Sequence, residues 1–600
     1  MIDKKILILF KKIPFMPAIL GFLIGILINL SRWSEVGNSL FSNIVIDFSL
    51  AYVFNKCYIL WREGTWKSLV NGKGTCIVLC GITFFNTIVV MYNKLIPEKM
   101  IYTDTLSSLF SGMFFYLLIF MTEISFIAVI QDFAKVQESK KNQIRSRGEV
   151  IRFCFITFGI MCAIWGLYLY ATFPGVMTPD SFSQWNQAGG QQELTDWFPA
   201  FHTLVLRACR FIWNNPSSMI IFQIIFMAAI FTSGLLMFYK KGLSSKTLYT
   251  FTVIFAIIPA NGIMMVNLQK DPPFMISFIW LVFLLMKFVW NNNEFINSWF
   301  NLLCLFFALS LTALFRHNGT YMIYGVIGAL IIWSLIKKKY RLLLPAMLSL
   351  TAIVIITGPI YRVLKVPPTP KIFVNSSPMQ DIAGVFMRGG YLSQETLSMM
   401  YEIMPFDYWE KRYNEYTSDT YWFPTDGDYA YPYYIEKVSN IPTLHLLRLY
   451  VDTFLHSPID LVGSRIATTS LLWDIASPTH VTYRIWSSET MQEWENMYNV
   501  KGIEWHPNTL TNLFDSFADI TSWRNPIFYF LLWGAGLPNA IILLLSYYWL
   551  INHKYINTII LVPFILNVGV LILAINAQDS RYIWPHIIFS YVLLIFTIVD

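Results

Sequence analysis

Apolar stretches of about 18–25 residues, the length that crosses a hydrocarbon core about 30 Å thick, recur along the whole chain. They predict spans near 14–31, 40–61, 75–93, 107–131, 152–172, 217–239, 247–265, 273–290, 297–315, 319–336, 342–361, 525–550, 556–575 and 582–599. Of the 600 residues, 56% are hydrophobic and only 13% charged, roughly half the charge of an ordinary soluble domain. Mean hydropathy is +0.51. Disordered, collagen-like and small disulfide-stapled classes are excluded, and the fold class expected is an all-α polytopic membrane protein with about 14 transmembrane helices. A net charge of +7 is too weak a bias for a nucleic-acid partner, and membrane lipids are the surroundings expected instead.

Orientation follows from where the charges fall. Lys4, Lys5, Lys11 and Lys12 precede the first span like the basic flank of a signal. No small-residue cleavage site follows, and more spans do, so the segment reads as a retained anchor. With the N-terminus inside, the cytoplasmic side receives 23 Lys and Arg, and the short outer segments eight. That asymmetry leaves both termini cytoplasmic.

Two regions then face outward: the loop 173–216, and a stretch of about 160 residues, 362–524, too long to be structureless. The second holds 19 acidic and 12 basic residues and reads as an extracytoplasmic mixed or mainly helical domain inserted before the last three spans. Its run 441–473 is apolar but interrupted by Arg448, Asp452, His456, Pro458, Asp460 and Arg465, which suits interfacial helices better than a crossing. Residues 199–214 read the same way. The expected organisation is 1–150, an N-terminal four-helix extension; 151–361, a membrane core with its outer loop; 362–524, the outer domain; and 525–600, three closing helices.

Charged residues at the ends of apolar spans cost free energy unless used or paired. Four such clusters fall on the outer face: FPGVMTPDSFSQWNQAGGQQELTDWFPAFHT (173–203), NLQKDPPF (267–274), FRHNG (315–319) and NAQDSRYIWP (576–585). Asp180 could take a proton from an incoming hydroxyl, with Glu193, Asp196 and His202 nearby; a plain helix cap formed by Asp180 and Ser181 explains the same residues equally well. Arg316 and Arg581 are placed to grip a phosphate at headgroup level, with Lys270 as a third charge. The bland alternative pairs Lys270 with Asp271 and Arg581 with Asp579. The aromatic run YWFPTDGDYAYPYY (421–434), with Asp426 and Asp428, suits sugar stacking or an interfacial belt. The seven cysteines sit in or beside apolar segments and, with no HExxH among the histidines, form no metal motif.

The outer motif PGVMTPDSFSQW (174–185), with DWFPAFHT (196–203), KDPPF (270–274), RHNG (316–319) and Arg581-Tyr582, resembles the GT-C superfamily of polytopic glycosyltransferases. More closely it resembles an uncharacterised bacterial family of membrane proteins assigned to that superfamily. The resemblance covers roughly 150–600 and leaves the first four spans as an addition. It implies a GT-C-like core and transfer of a sugar from a polyprenyl-phosphate-linked donor to an envelope glycan or lipid-linked acceptor. Asp180 would be the general base with Asp196 beside it, and Arg316, Arg581 and Lys270 would hold the donor phosphate. Gln184, His202, Asp271, His317, Asn318 and Tyr582 would contact substrate. The family commonly has a histidine before the proline of the second motif, where this chain has Phe198. Metal use varies across the superfamily, so the resemblance implies no particular cofactor and leaves a divalent cation (Mg or Mn) open. A lipid-linked glycan transporter, a polysaccharide polymerase or ligase, and a non-catalytic scaffold are the competing readings.

Overall fold

The computed structural model describes residues 40–70, 72–95, 105–138, 145–421, 433–474, 488–500, 503, 505, 507–521 and 526–600. The first expected span, its lysines, Asp426, Asp428 and most of the 421–434 run lie outside them. Every regular element among the described residues is helical, and two isolated β-bridges are the extended pairings seen there. Among them, nine helices are long and apolar enough to cross a membrane: Lys73–Val90, Gly112–Glu138, Arg147–Ala171, Ser217–Lys240, Asp271–Trp290, His317–Ile336, Tyr340–Val363, Tyr555–Ala574 and Ser580–Val599. The chain is a polytopic helical membrane protein.

Helix Asp271–Trp290 is the hub. It is 83% buried where Arg147–Ala171 is only 22%, and it packs against Ser217–Lys240, Trp299–Leu314 and Trp584–Val599. Close packing substitutes here for a hydrophobic driving force that lipid does not supply: the Phe283 ring lies directly on Gly234. Helix starts follow local chemistry. Ser146 and Glu149 form a capping box at the head of Arg147–Ala171, and Pro272 and Pro585 stand in first turns, where their missing N–H groups cost nothing.

Two expected spans are interrupted. The segment 247–265 is two helices, Ser245–Ile257 and Pro259–Met265, bent by 67°. Pro259 forces Ile258 to ψ 124°, out of the helical region. Asn261 Nδ2 takes up the Phe255 carbonyl at 2.8 Å. Within 525–550, helices Pro526–Leu532 and Gly536–Ile551 are separated at 533–535.

The 362–524 stretch divides. Helices between Ile372 and Thr469 enclose a second core around Met379, Ile382, Met400, Trp409, Leu446 and Leu461. Tyr421 and Tyr434, at the two ends of the aromatic run, are buried in it against Trp409. The described residues between 488 and 521 instead pack on the first core: Phe514 stacks on Tyr168 of helix Arg147–Ala171 at 4.0 Å, and Asn186 Nδ2 of helix Pro179–Gly189 donates to the Tyr498 carbonyl at 2.7 Å. Helices Thr443–His456 and Pro458–Thr469 expose Leu444, Leu447, Leu455 and Ile459, and Ala200–Ile212 ends on exposed Phe211 and Ile212.

Candidate functional site

Asp180 is brought to the site by the turn its motif encodes. Pro174 follows the end of helix Arg147–Ala171, and Gly175 has φ +134°. A Cβ on Gly175 would collide with Ile220 Cδ1 and lie 3.3 Å from the Val266 carbonyl oxygen. That bare approach lets the Val176 N–H reach Val266 O, and the Leu268 N–H reach Val176 O, each at 2.9 Å. Gly175→Ala is therefore expected to cost about 1–3 kcal/mol, read as a lowered unfolding midpoint. Trimming Ile220 to Ala should recover the steric part and leave the backbone part.

The helix-cap role goes to Asp180's neighbours. The Thr178 N–H donates to Ser181 Oγ at 3.1 Å, and Gln269 Nε2 donates to Thr178 Oγ1 at 2.6 Å. The Asp180 carboxylate, in the first turn of Pro179–Gly189, is left to meet cations. Arg581 Nη1 is 3.1 Å and Lys270 Nζ 3.4 Å from its Oδ2. Deeper in, Arg316 Nη1 is 2.9 Å from Asp271 Oδ1, and Arg581 Nη1 is 3.8 Å from Asp271 Oδ2. Arg581 Nε lies 2.9 Å from Asp579. Lys270 thus pairs with Asp180 instead of its chain neighbour Asp271, whereas the Arg581–Asp579 pairing expected from sequence is present. Gly319 of the RHNG motif lies in the first turn of helix His317–Ile336 and leaves room for the preceding helix end, since a Cβ there would collide with the Thr312 carbonyl.

The result is a graded cup of three cations and three carboxylates. Asp271 and Arg316 form its floor, with side chains 1% and 6% exposed. Asp180, Lys270, Arg581 and Asp579 form a rim at 14–23%. Lys270 Nζ sits 4.6 Å over Phe198, and the Arg316 guanidinium 4.7 Å over Tyr582. Burial by itself raises the Asp180 carboxyl, but the Lys270 and Arg581 charges outweigh it and hold it below the ordinary carboxylate value. Burial lowers the Lys270 ammonium against the pull of Asp180. For Asp579, burial wins over Arg581 and the carboxyl is raised.

The remaining candidates surround the cup without joining it. Asp196 accepts the Ala200 N–H at 3.0 Å and the Thr369 hydroxyl at 2.6 Å. His317 Nε2 lies 3.2 Å from the Asp196 carbonyl, and Asn318 follows it, half-buried. Gln184 and His202 are buried together, Oε1 to Nδ1 at 3.1 Å, with Thr203 against the Gln184 amide. Burial, with Lys270 assisting, pushes His202 down to about 3. Its depressed value means the unfolded chain binds the proton first. Stability is therefore full above about pH 6.5 and is lost as pH falls toward 3. Thermal midpoints between pH 4 and 8 should show this slope, and His202→Gln should lessen it.

Sequence reasoning missed what holds the last cation. The segment 573–579 is sewn to the outer helices. Ser377 Oγ donates to Leu573 O at 2.8 Å, and Arg465 donates to Ile575 O at 2.6 Å. Asn576 bonds Ser376 and Ser418, and Gln578 Nε2 reaches Ala467 O at 2.9 Å. Arg465 is itself fixed by Asp381, 2.8 Å away. The sequence signal was an arginine interrupting the apolar 441–473 run.

A model described as a family of unknown function (DUF6020) matches residues 217–600. The chain belongs to this family. The DUF6020 stretch supplies Lys270, Asp271, Arg316, Asp579 and Arg581, whereas Asp180 and its PGVMTPDS turn lie before it. No curated protein and no solved structure matches the chain.

A divalent cation does not fit this donor set. Each carboxylate of the cup faces a guanidinium or ammonium, and among the described residues no three His, Cys, Asp or Glu side chains are grouped as ligands.

Proposed function

We propose that this protein is a GT-C-like membrane glycosyltransferase that moves a sugar from a polyprenyl-phosphate-linked donor to an envelope glycan or lipid-linked acceptor. The reading carries with it the 14-span topology with both termini cytoplasmic and the cup on the outer face of a bacterial plasma membrane. One observation supports it above the others: residues as far apart as Asp180 and Arg581, 401 positions, meet in one ion cluster at helix ends. A cluster so placed costs free energy that a scaffold would have no reason to spend.

The chemistry follows from the charge balance. At rest the three cations are neutralised by Asp180, Asp271 and Asp579. A donor phosphate entering at the rim competes for Lys270 and Arg581, and so draws them off Asp180. The carboxylate then loses the charges that depress its proton affinity and becomes a base as the site fills. The acceptor hydroxyl loses its proton to Asp180 while its oxygen bonds the anomeric carbon. The bond from that carbon to the phosphate oxygen breaks, and polyprenyl phosphate leaves with its new charge on Arg581, Lys270 and the more deeply seated Arg316. Tyr582 and Phe198 orient the cations by their ring faces. His202 and Gln184, being buried, support the loop from beneath.

The broken segment 245–265 resembles the discontinuous helices of transporters. Carbonyls at its break are occupied, however: Phe255 O accepts from Asn261 Nδ2 at 2.8 Å and Ile257 O from the Tyr168 hydroxyl at 3.0 Å. Transfer is the better reading. The test is envelope-glycan mass spectrometry of a deletion strain, the same strain carrying the wild-type gene, and the strain carrying Asp180→Asn at matched expression. A hexose-sized loss restored by wild type alone supports transfer at this site. Equal restoration by the variant removes Asp180 from the chemistry.

A further inference from the structure

The N-terminal helices lie outside the family match, yet they bury an acid. Glu123, 3% exposed, stands roughly 16 Å along the Gly112–Glu138 span, near the middle of a bilayer. It faces Thr83 and Asn86 of helix Lys73–Leu95: Thr83 Oγ1 lies 2.5 Å from Glu123 Oε2, and Asn86 Nδ2 is 2.7 Å from Oε1. Among the described residues no ion pair reaches it.

Hydrogen counting favours one state of the carboxyl over the other. Thr83 has one hydroxyl hydrogen and two oxygens within reach, Glu123 Oε2 and, at 2.9 Å, the Leu79 carbonyl. The carbonyl can only accept. With the Thr83 hydrogen on Leu79 O, a lone pair faces Glu123 Oε2, and that contact is attractive only if Glu123 is the donor. Asn86 then donates to the other oxygen of a carboxylic acid. The opposite assignment leaves a carboxylate in a membrane interior with two neutral donors and no cation, which is costly. Three oxygens and an amide are too few for a hard metal ion.

Among the described residues the surrounding elements bring no opposite charge to it. Tyr116 is on its own helix and Cys80 on the facing one, hydrogen-bonded to each other through the Cys80 carbonyl; Cys76 lies one turn from Cys80. On helix Leu40–Glu63, Cys57 bonds Ser125, and Lys56 is closed on Asp132 at 2.7 Å. Helix Trp584–Val599 carries His586 beside Asn567, and Tyr591 on the Leu531 carbonyl. Helix Gly536–Ile551 carries Tyr547, on the Leu69 carbonyl, and Tyr548.

We propose that Thr83, Asn86 and Glu123 form an intramembrane proton-binding site in which Glu123 carries the proton. Release of that proton strands a carboxylate between two packed helices, so it requires the pair to part or water to enter.

The test is infrared spectroscopy of the full-length protein in lipid nanodiscs at neutral and alkaline pH. The expected result is a protonated-carboxyl C=O band at neutral pH that is absent from Glu123→Gln, a variant that keeps the wild-type elution because the amide mimics the acid. Thr83→Val, which removes the bonding partner, should move the same band without abolishing it. If Gln at 123 does not fold, that band shift decides. Loss of carboxylate bands alone in Glu123→Gln overturns the proposal, as does a Thr83→Val spectrum whose protonated-carboxyl region is unchanged.

Discussion

Asp180→Asn is expected to lower the turnover of sugar transfer by about 10²–10⁴-fold, the range a positioned general base contributes, while leaving donor binding intact or tighter. The split arises because the carboxylate has two jobs. In catalysis it takes the acceptor proton; at rest it occupies Lys270 and Arg581, 3.4 and 3.1 Å away. Asparagine ends both, so the cations become freer for phosphate at the same time as the base is lost. A purified, nanodisc-embedded protein assayed with a synthetic polyprenyl-phosphate sugar would show kcat falling with KM for the donor flat or reduced. A wild-type kcat would remove Asp180 from the reaction. A raised KM with unchanged kcat would make it a binding group.

Arg316→Ala should instead act on the fold. Its partner Asp271 is 1% exposed, and removing one member of a buried pair typically costs about 3–5 kcal/mol because the other charge stays behind. Arg581, 3.8 Å from the far oxygen, offers Asp271 only partial relief. The double variant Arg316→Met with Asp271→Leu removes both charges and keeps much of the volume, and should recover most of the lost midpoint. It should remain without transfer activity if the floor of the cup serves the leaving phosphate. Recovered stability together with recovered activity would reduce the pair to architecture.

Much of the scaffold could be read from the chain because membrane spans obey a length rule that depends on neighbouring residues alone. The same locality explains the misreadings. Lys270 and Asp271 are adjacent, so pairing them was the simplest assumption, yet adjacent residues on a helix start point apart, and each found a partner from another segment. The bend at Pro259 was visible as a proline but sat inside an unbroken apolar run. The cup was legible as four polar clusters, since each lies at a span end; which cation meets which carboxylate was not, because those contacts join residues up to 401 positions apart. Glu123 was a single acid in FMTEISF, and nothing in its own stretch marks Thr83 as opposite it.

The stitching of 573–579 to the outer helices bears on how proteins of this kind can be recombined. Arg581 owes its place to bonds made by Ser377, Ser418, Arg465 and Ala467 to the segment just before it. An outer domain exchanged between relatives would therefore carry the wrong seam for the recipient's last helix. Chimeras should work only when the insertion and the final two helices travel together, so that the two separate pieces of sequence behave as one inheritable part.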